Sequence, residues 1–272
     1  MEVVGYAVLA LGTAAIGALG GLGGAVLLVP ALVLTGMPAS EAAPLGLLTV
    51  AAGSIAAGPR QLRERTVNHR LGVVTELSAS TGAVGGALVS GFVSDEALTY
   101  VLAVVAFAAA IAGGRRGGLR NPPDPECDTG DVGERVGALA GAYPLGDGVV
   151  PYRVDRLPSG LGFMGLAGFI AGTAGASGGF IKTPATSELM HVPMKVAAST
   201  TTFTIGITSS AALVVFALQG RIDVEASALV IVGSLVGGQL GANLQSALSP
   251  TVIRRLLSAL LVVVSVVLVA RA

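Results

Sequence analysis

The 272-residue chain has no tryptophan, a single cysteine and few charges: 12% of residues are Asp, Glu, Lys or Arg, and 4% are aromatic. A soluble globular domain carries about 25% charged residues, so a water-facing surface of ordinary extent cannot be built from this sequence. With Cys127 alone, an intrachain disulfide and a cysteine metal cluster are both excluded. Sixteen basic residues balance sixteen acidic ones, so no bulk attraction to nucleic acid follows. The missing tryptophans leave four Tyr and seven Phe for any interfacial belt. The N-terminal Met-Glu-Val-Val lacks a basic n-region, and the apolar run behind it outlasts a signal peptide. It reads as a membrane element that stays in the protein.

What is present is apolar sequence: 53% hydrophobic residues, in repeated stretches of span length. Short alternating segments of the barrel type are absent, so the pattern predicts an all-α polytopic membrane protein. Val3 to Thr35 carries no charge for 33 residues. That is too long for one span of roughly 20 residues and too short for two. Gly20, Gly21, Gly23, Gly24 and Pro30 predict one span followed by a broken or re-entrant piece, which is tolerated at membrane depth only inside protein or beside a water-filled cavity. Further spans are expected at about 41–58, 71–93 and 97–113, then at 196–218, 226–248 and 252–270. A second broken element covers about 161–188, with its break at Gly175 and Pro184.

The halves repeat. A shift of 155 carries Ala39-Ser40-Glu41-Ala42 onto Met194-Lys195-Val196-Ala197, each after a proline, and Gly82 and Gly86 onto Gly237 and Gly241. About eight spans in two tandem repeats follow, with residues 1–113 as the first four-helix repeat, 114–159 as a polar cytoplasmic connector and 160–272 as the second repeat. A small strand is expected at Val149 to Val154. Duplicated halves with broken elements at matching places are the architecture of many secondary transporters. Counted as eight spans, the repeats are parallel. The 60–70 loop, the connector, Arg221 and Arg271 then share one side with both termini and hold twelve of the sixteen basic residues. The positive-inside rule then makes both termini cytoplasmic. If each broken piece is itself a full crossing, the repeats invert.

The chemistry concentrates at Gly172-Thr173-Ala174-Gly175-Ala176-Ser177-Gly178-Gly179-Phe180-Ile181-Lys182-Thr183-Pro184. A lysine at a helix centre costs on the order of 2.5–3.5 kcal/mol, so Lys182 should face the interior and have a partner. It is the candidate fixed cation for an anionic substrate. Ser177, Gly178, Gly179 and Thr183 flank it, and the glycines leave backbone N–H groups exposed as a cradle. The competing reading is a lysine that snorkels to an interface. Thr200, Thr204 and Thr208 recur every four residues on one helical face, and with Thr201 they offer hydroxyl donors, or else helix glue. The other glycine pairs four apart suit close helix packing. Glu76, near the basic end of its span, reads as interfacial, and His191 as a surface residue. No nucleophile–base pair, HExxH or phosphate-loop pattern occurs, so neither an enzyme nor a cofactor or metal site is expected.

The segments GLGGAVLLVP…GMPASEA at 20–42 and GTAGASGGFIKTP…HVPMKVAASTT at 172–201, with GRID at 220–223 and LSPTVIRRLLSALL near the end, resemble the sulfite exporter TauE/SafE family of membrane permeases. The resemblance implies movement of sulfite, organosulfonates or a related small sulfur-containing anion across the cytoplasmic membrane. Its partners would be that anion and the lipid bilayer, with room for a homo-oligomer. An inside-negative potential favours export. The alternative is a non-transporting membrane sensor or scaffold working through the 114–159 connector.

Overall fold

The computed structural model describes residues 3–20, 24–114, 132–145, 148–245 and 250–271. Gly21 and Gly23 lie outside the described residues, as does most of the first part of the connector. The first half runs α1 Val3–Gly20, a short α2 Ala25–Leu34, then α3 Ala39–Arg63, α4 His69–Ser90 and α5 Asp95–Gly114. The second half repeats that succession: α6 Leu157–Ala174, a short α7 Gly179–Pro184 that runs into a π-helical turn at Ala185–Leu189, then α8 Met194–Leu218, α9 Val224–Gln245 and α10 Pro250–Arg271. Among the described residues, eight helices of 18 residues or more and two short ones thus make up the bundle. Six of them, α3 to α6, α8 and α9, are long and apolar enough to cross a membrane by length and composition. The chain is a polytopic helical membrane protein.

The break in the first half is made by the glycines alone. Gly20 closes α1 and Gly24 precedes α2, whereas Pro30 sits inside α2 with helical residues on both sides. Pro30 therefore breaks nothing; it only removes one N–H from a short helix whose other end is nearby. In the second half Pro184 does mark a change, from α-helix to the π-helical turn.

Glycine spacing sets the tightest helix contacts. A Cβ added at Gly82 or Gly86 of α4 would stand 2.1 Å from the carbonyl oxygen of Gly165 or Phe169 in α6. Gly168 and Gly172 of α6 answer against the Ala79 and Ala83 carbonyls. Gly233, Gly237 and Gly241 of α9 lie in the same way on the Ala7, Leu11 and Ala15 carbonyls of α1. With no side chain between them the backbones approach closely, as small residues allow in membrane helix pairs. In all three sets the residue numbers rise together, so α4 runs parallel to α6 and α1 parallel to α9. The opening helix of each half is packed against the fourth helix of the other.

These registers fix the direction of every long helix. Gly72 meets Thr204 and Glu76 meets Thr208, so α8 runs with α4. Ser258 and Ser265 of α10 donate to the carbonyls of Ala110 and Ala103 in α5, so that pair is antiparallel. Helices joined by short turns are antiparallel neighbours. Together these require α1, α3 and α5 to point one way and α6, α8 and α10 the other. The short α2 and α7 segments carry the chain back across the bundle, and the second half is inverted relative to the first. The parallel arrangement expected from eight crossings is thereby corrected: α2, about 15 Å long at 1.5 Å per residue, lies in the leg that returns from α1 to α3.

The inversion also moves the chain ends. The 60–70 loop, the connector, Lys195 and Arg255 share one face of the bundle. Val3 and Arg271 lie on the opposite face with the 91–95 and 219–223 turns, where Arg271 donates to the Leu34 carbonyl. The ends therefore do not share a side with the 60–70 loop. On the basic face the connector folds into an antiparallel sheet in the order β1 Gly133–Glu134, β2 Ala140–Leu145, β3 Gly148–Arg153, with Ala140 opposite Arg153 and Leu145 opposite Gly148. The strand expected at 149–154 is thus one of three. Tyr143 and Tyr152 of this sheet pack with Leu71, Met164, Met190 and Val196, closing the basic ends of α4, α6 and α8.

Candidate substrate site at the Lys182–Glu76 pair

The site is assembled where α6 gives out. Gly175 adopts left-handed backbone at φ 67°, and a Cβ there would stand 2.2 Å from the Ala43 Cα of α3. Both demands select glycine. After the turn the Ser177 hydroxyl accepts from the Gly179 N–H at 3.2 Å. The six residues of α7 then bring Lys182 between α4 and α8.

Among the described residues, Lys182 and Glu76 are the buried charged side chains, 2% and 5% exposed. Lys182 Nζ donates to Glu76 Oε2 at 2.8 Å and to Thr208 Oγ1 at 2.5 Å. The Thr208 hydroxyl in turn donates a hydrogen bond to Glu76 Oε1, which also accepts from Ser80 Oγ at 2.9 Å. Lys182, Thr208, Glu76 and Ser80 therefore form one network drawn from three helices. Two of the three ammonium N–H groups are used in it.

Glu76 is seven residues from the start of α4 and fourteen from its end, about 10 and 21 Å along the axis. Thr208 is fourteen residues into α8 and ten from its end. The network is thus deep in the bundle, and the interfacial placement expected for Glu76 is wrong. The physical reason is the lysine: a buried ammonium needs an anionic partner, and Glu76 is on the helix face that α7 approaches. Snorkelling of Lys182 is excluded by the same geometry. The missed carboxylate had a signal, since Glu76 is the one charge between Arg70 and Asp95.

The remaining expected site residues separate into two groups. Thr208 joins Lys182 directly, and Thr183 and Thr201 are buried on the adjoining elements. Thr200 instead accepts from the Asn68 N–H at 3.0 Å, and Thr204 faces Gly72 and donates to the Thr201 carbonyl at 3.4 Å. The backbone cradle is closed in this arrangement. The Gly179 amide goes to Ser177, and a Cβ on Gly178 would meet the Ala167 carbonyl of α6 at 2.9 Å. These glycines give α7 room to lie against α6 and α8.

Asn68 was not anticipated. It is fully buried, caps α4 by accepting from the Leu71 N–H, and donates from Nδ2 to the Tyr152 hydroxyl of the sheet. The sheet and the start of α4 are joined through this side chain, and Thr200 of α8 through the backbone N–H of the same residue.

The symmetry-related place between the halves offers nothing equivalent. Gly53 occupies the place of Thr208 and Ile231 that of Glu76 at the shift of 155, and Leu28 that of Lys182 when Pro30 is set on Pro184, one residue out of that register. The charged network is thus present at one of the two related places in an otherwise duplicated framework.

The chain was also compared with known proteins. The family model described as Sulfite exporter TauE/SafE matches residues 6–268. A curated relative, described as "Probable membrane transporter protein YunE" from Bacillus subtilis (strain 168), is 24% identical over 262 residues, covering 89% of this chain and 88% of its own length. No solved structure matches the chain. With the family model covering nearly the whole sequence, an inverted helical framework and a buried ion pair between its helices, the chain belongs to the sulfite exporter TauE/SafE family of membrane transporters.

Proposed function

We propose that the protein moves a small sulfur-containing oxyanion, sulfite or an organosulfonate, outward across the cytoplasmic membrane. The observation that carries this reading is Lys182, a buried ammonium deep between the helices, held by one carboxylate and one hydroxyl and with an N–H left over. An oxyanion is the ligand chemistry that an ammonium and neighbouring hydroxyls serve. The repeats at 1–113 and 160–272 bracket it as the halves of a transporter do.

Orientation follows from the same charges. On the positive-inside rule the face with the 60–70 loop and the sheet is cytoplasmic, and both chain ends are on the outer side. An inside-negative potential then drives net negative charge outward by about 2.3 kcal/mol per charge per 100 mV, which supplies the direction.

Sulfite flux into proteoliposomes tests the reading. The wild type should transport, and Lys182→Ala should lose at least nine-tenths of the flux. Because that variant leaves Glu76 unpaired, Lys182→Ala combined with Glu76→Gln is measured beside it and should also be inactive. Wild-type flux retained by either folded variant removes Lys182 from the mechanism.

A further inference from the structure

We propose that Glu76 carries a proton with each transported anion, so that protonation of its carboxyl is what releases Lys182 to the substrate. This rests on the transport reading above. The evidence is the way Glu76 is held. Its two oxygens accept from an ammonium and two hydroxyls, Lys182, Thr208 and Ser80, which is the donor set a small oxyanion would take. The carboxylate thus occupies the substrate's own donors and stands in for the substrate when the site is empty.

An arriving anion therefore competes with Glu76. Were both anionic at once, one ammonium would face two negative groups in a buried site, an arrangement with a large uncompensated desolvation cost. A proton on Glu76 removes the conflict. The carboxyl becomes neutral, keeps hydrogen bonds to Thr208 and Ser80, and gives up its claim on Lys182. One proton is bound as one anion enters, and both leave together.

Among the described residues, Lys182 is the one other ionisable group against Glu76, and it is the group the substrate would engage. Helix α6, packed along α4, has no ionisable side chain, and α8 has only Lys195 at its start, which faces Glu64. On α4 itself His69 and Arg70 lie a further six to seven residues toward the basic face, where Glu134 of β1 meets both. Glu188, past Lys182 on its own segment, is exposed. The symmetry-related positions Leu28 and Ile231 are apolar, so the duplicated half adds no second carrier.

Coupling changes the charge that moves. A sulfonate monoanion travelling with one proton is electrically silent, so its direction follows the sulfonate and proton gradients and not the voltage, whereas doubly charged sulfite with one proton still moves one negative charge and is still driven outward by the potential. The sulfonate case gives the cleaner test, because methanesulfonate does not itself titrate near neutral pH. Proteoliposomes holding a pH-sensitive dye, with a potential set by a potassium gradient and valinomycin, report protons and voltage together. The wild type should move one proton per methanesulfonate and be indifferent to voltage. Glu76→Gln should move methanesulfonate without protons, with an accumulation ratio shifting about tenfold for about 60 mV.

Methanesulfonate flux without protons in the wild type overturns the proposal and leaves the transport reading standing. So does proton movement that persists in Glu76→Gln. Absence of flux for both methanesulfonate and sulfite refutes the transport reading and this inference with it. A purely structural carboxylate would lower the thermal midpoint of Glu76→Gln and leave the proton-to-anion ratio alone. The wild-type ratio decides the matter even where the variant folds poorly.

Discussion

Replacing one member of the Lys182–Glu76 pair should be far worse than replacing both. Breaking a buried ion pair from one side costs about 3–5 kcal/mol, while exchanging both partners for neutral side chains of similar volume is often close to neutral. The structure refines this for each single variant. In Lys182→Met the Glu76 carboxyl keeps Thr208 and Ser80 and can shed its charge by binding a proton. In Glu76→Gln the ammonium keeps Thr208 and the amide oxygen but has no anion beside it, and can shed its charge by losing a proton. The two penalties have opposite pH slopes. Lowering the pH protonates the stranded carboxyl more readily, so Lys182→Met recovers stability. The same change opposes loss of the ammonium proton, so Glu76→Gln deteriorates. Chemical unfolding in detergent micelles at pH 6 and pH 8, for the wild type, both singles and the double, closes the cycle. A coupling of at least about 2 kcal/mol is expected. Additive effects, or slopes of the same sign, would show that the pair is not the buried contact described.

The glycine seams give a steric prediction. Gly172→Ala places a Cβ about 2.1 Å from the Ala83 carbonyl and should lower stability by about 1–3 kcal/mol, whereas Gly53→Ala, with nothing within 4 Å, should be neutral or better; melting curves compare them. Sidedness is read by impermeant thiol labelling of cells carrying single cysteines in a Cys127→Ser background. Phe92→Cys should label from outside and Arg135→Cys only after permeabilisation, and the reverse result would invert the molecule. Tyr152→Phe removes the hydroxyl that receives the Asn68 amide hydrogen, and should cost about 1 kcal/mol or somewhat more on the same melting curves.

The parts of the fold legible in the sequence were those carried by local patterns. Charge-free stretches bounded by turns placed the long helices, and the Gly20–Gly24 and Gly175 clusters located the breaks. The spacing of Gly82 with Gly86 and Gly237 with Gly241 identified close-packing faces. The direction of the second half was not legible, because it depends on whether α2 and α7 return across the bundle. Helices of ten and six residues are too short to declare that by length; contacts such as Gly72 with Thr204 decide it. At the site, Lys182 stood out because an ammonium in apolar sequence demands a partner. The partner was misread because Glu76, seven residues from a basic loop, also fits an interfacial position. Applying to Glu76 the requirement already imposed on Lys182 would have joined them, but only the approach of α7 to α4 shows that they meet. Asn68 stands in the turn before α4, and nothing in the sequence marks it as the residue that ties α4 to the sheet and to Thr200.

The exchange of opening helices between the halves bears on how the chain is made. Gly233 follows Ala7 by 226 residues, yet these positions form one of the closest backbone contacts in the molecule. At about 5–20 residues per second, α1 leaves the ribosome roughly 11–45 s before α9 exists. Throughout that interval its glycine-matched face must be occupied by lipid, by an insertion factor or by a neighbouring nascent segment. The first half has no finished form of its own to wait in. A gene cut within the connector should therefore yield two fragments that are degraded when expressed singly and stable when expressed together. Mutual dependence of that kind keeps an unpaired half, with Glu76 but no Lys182, from persisting in the membrane.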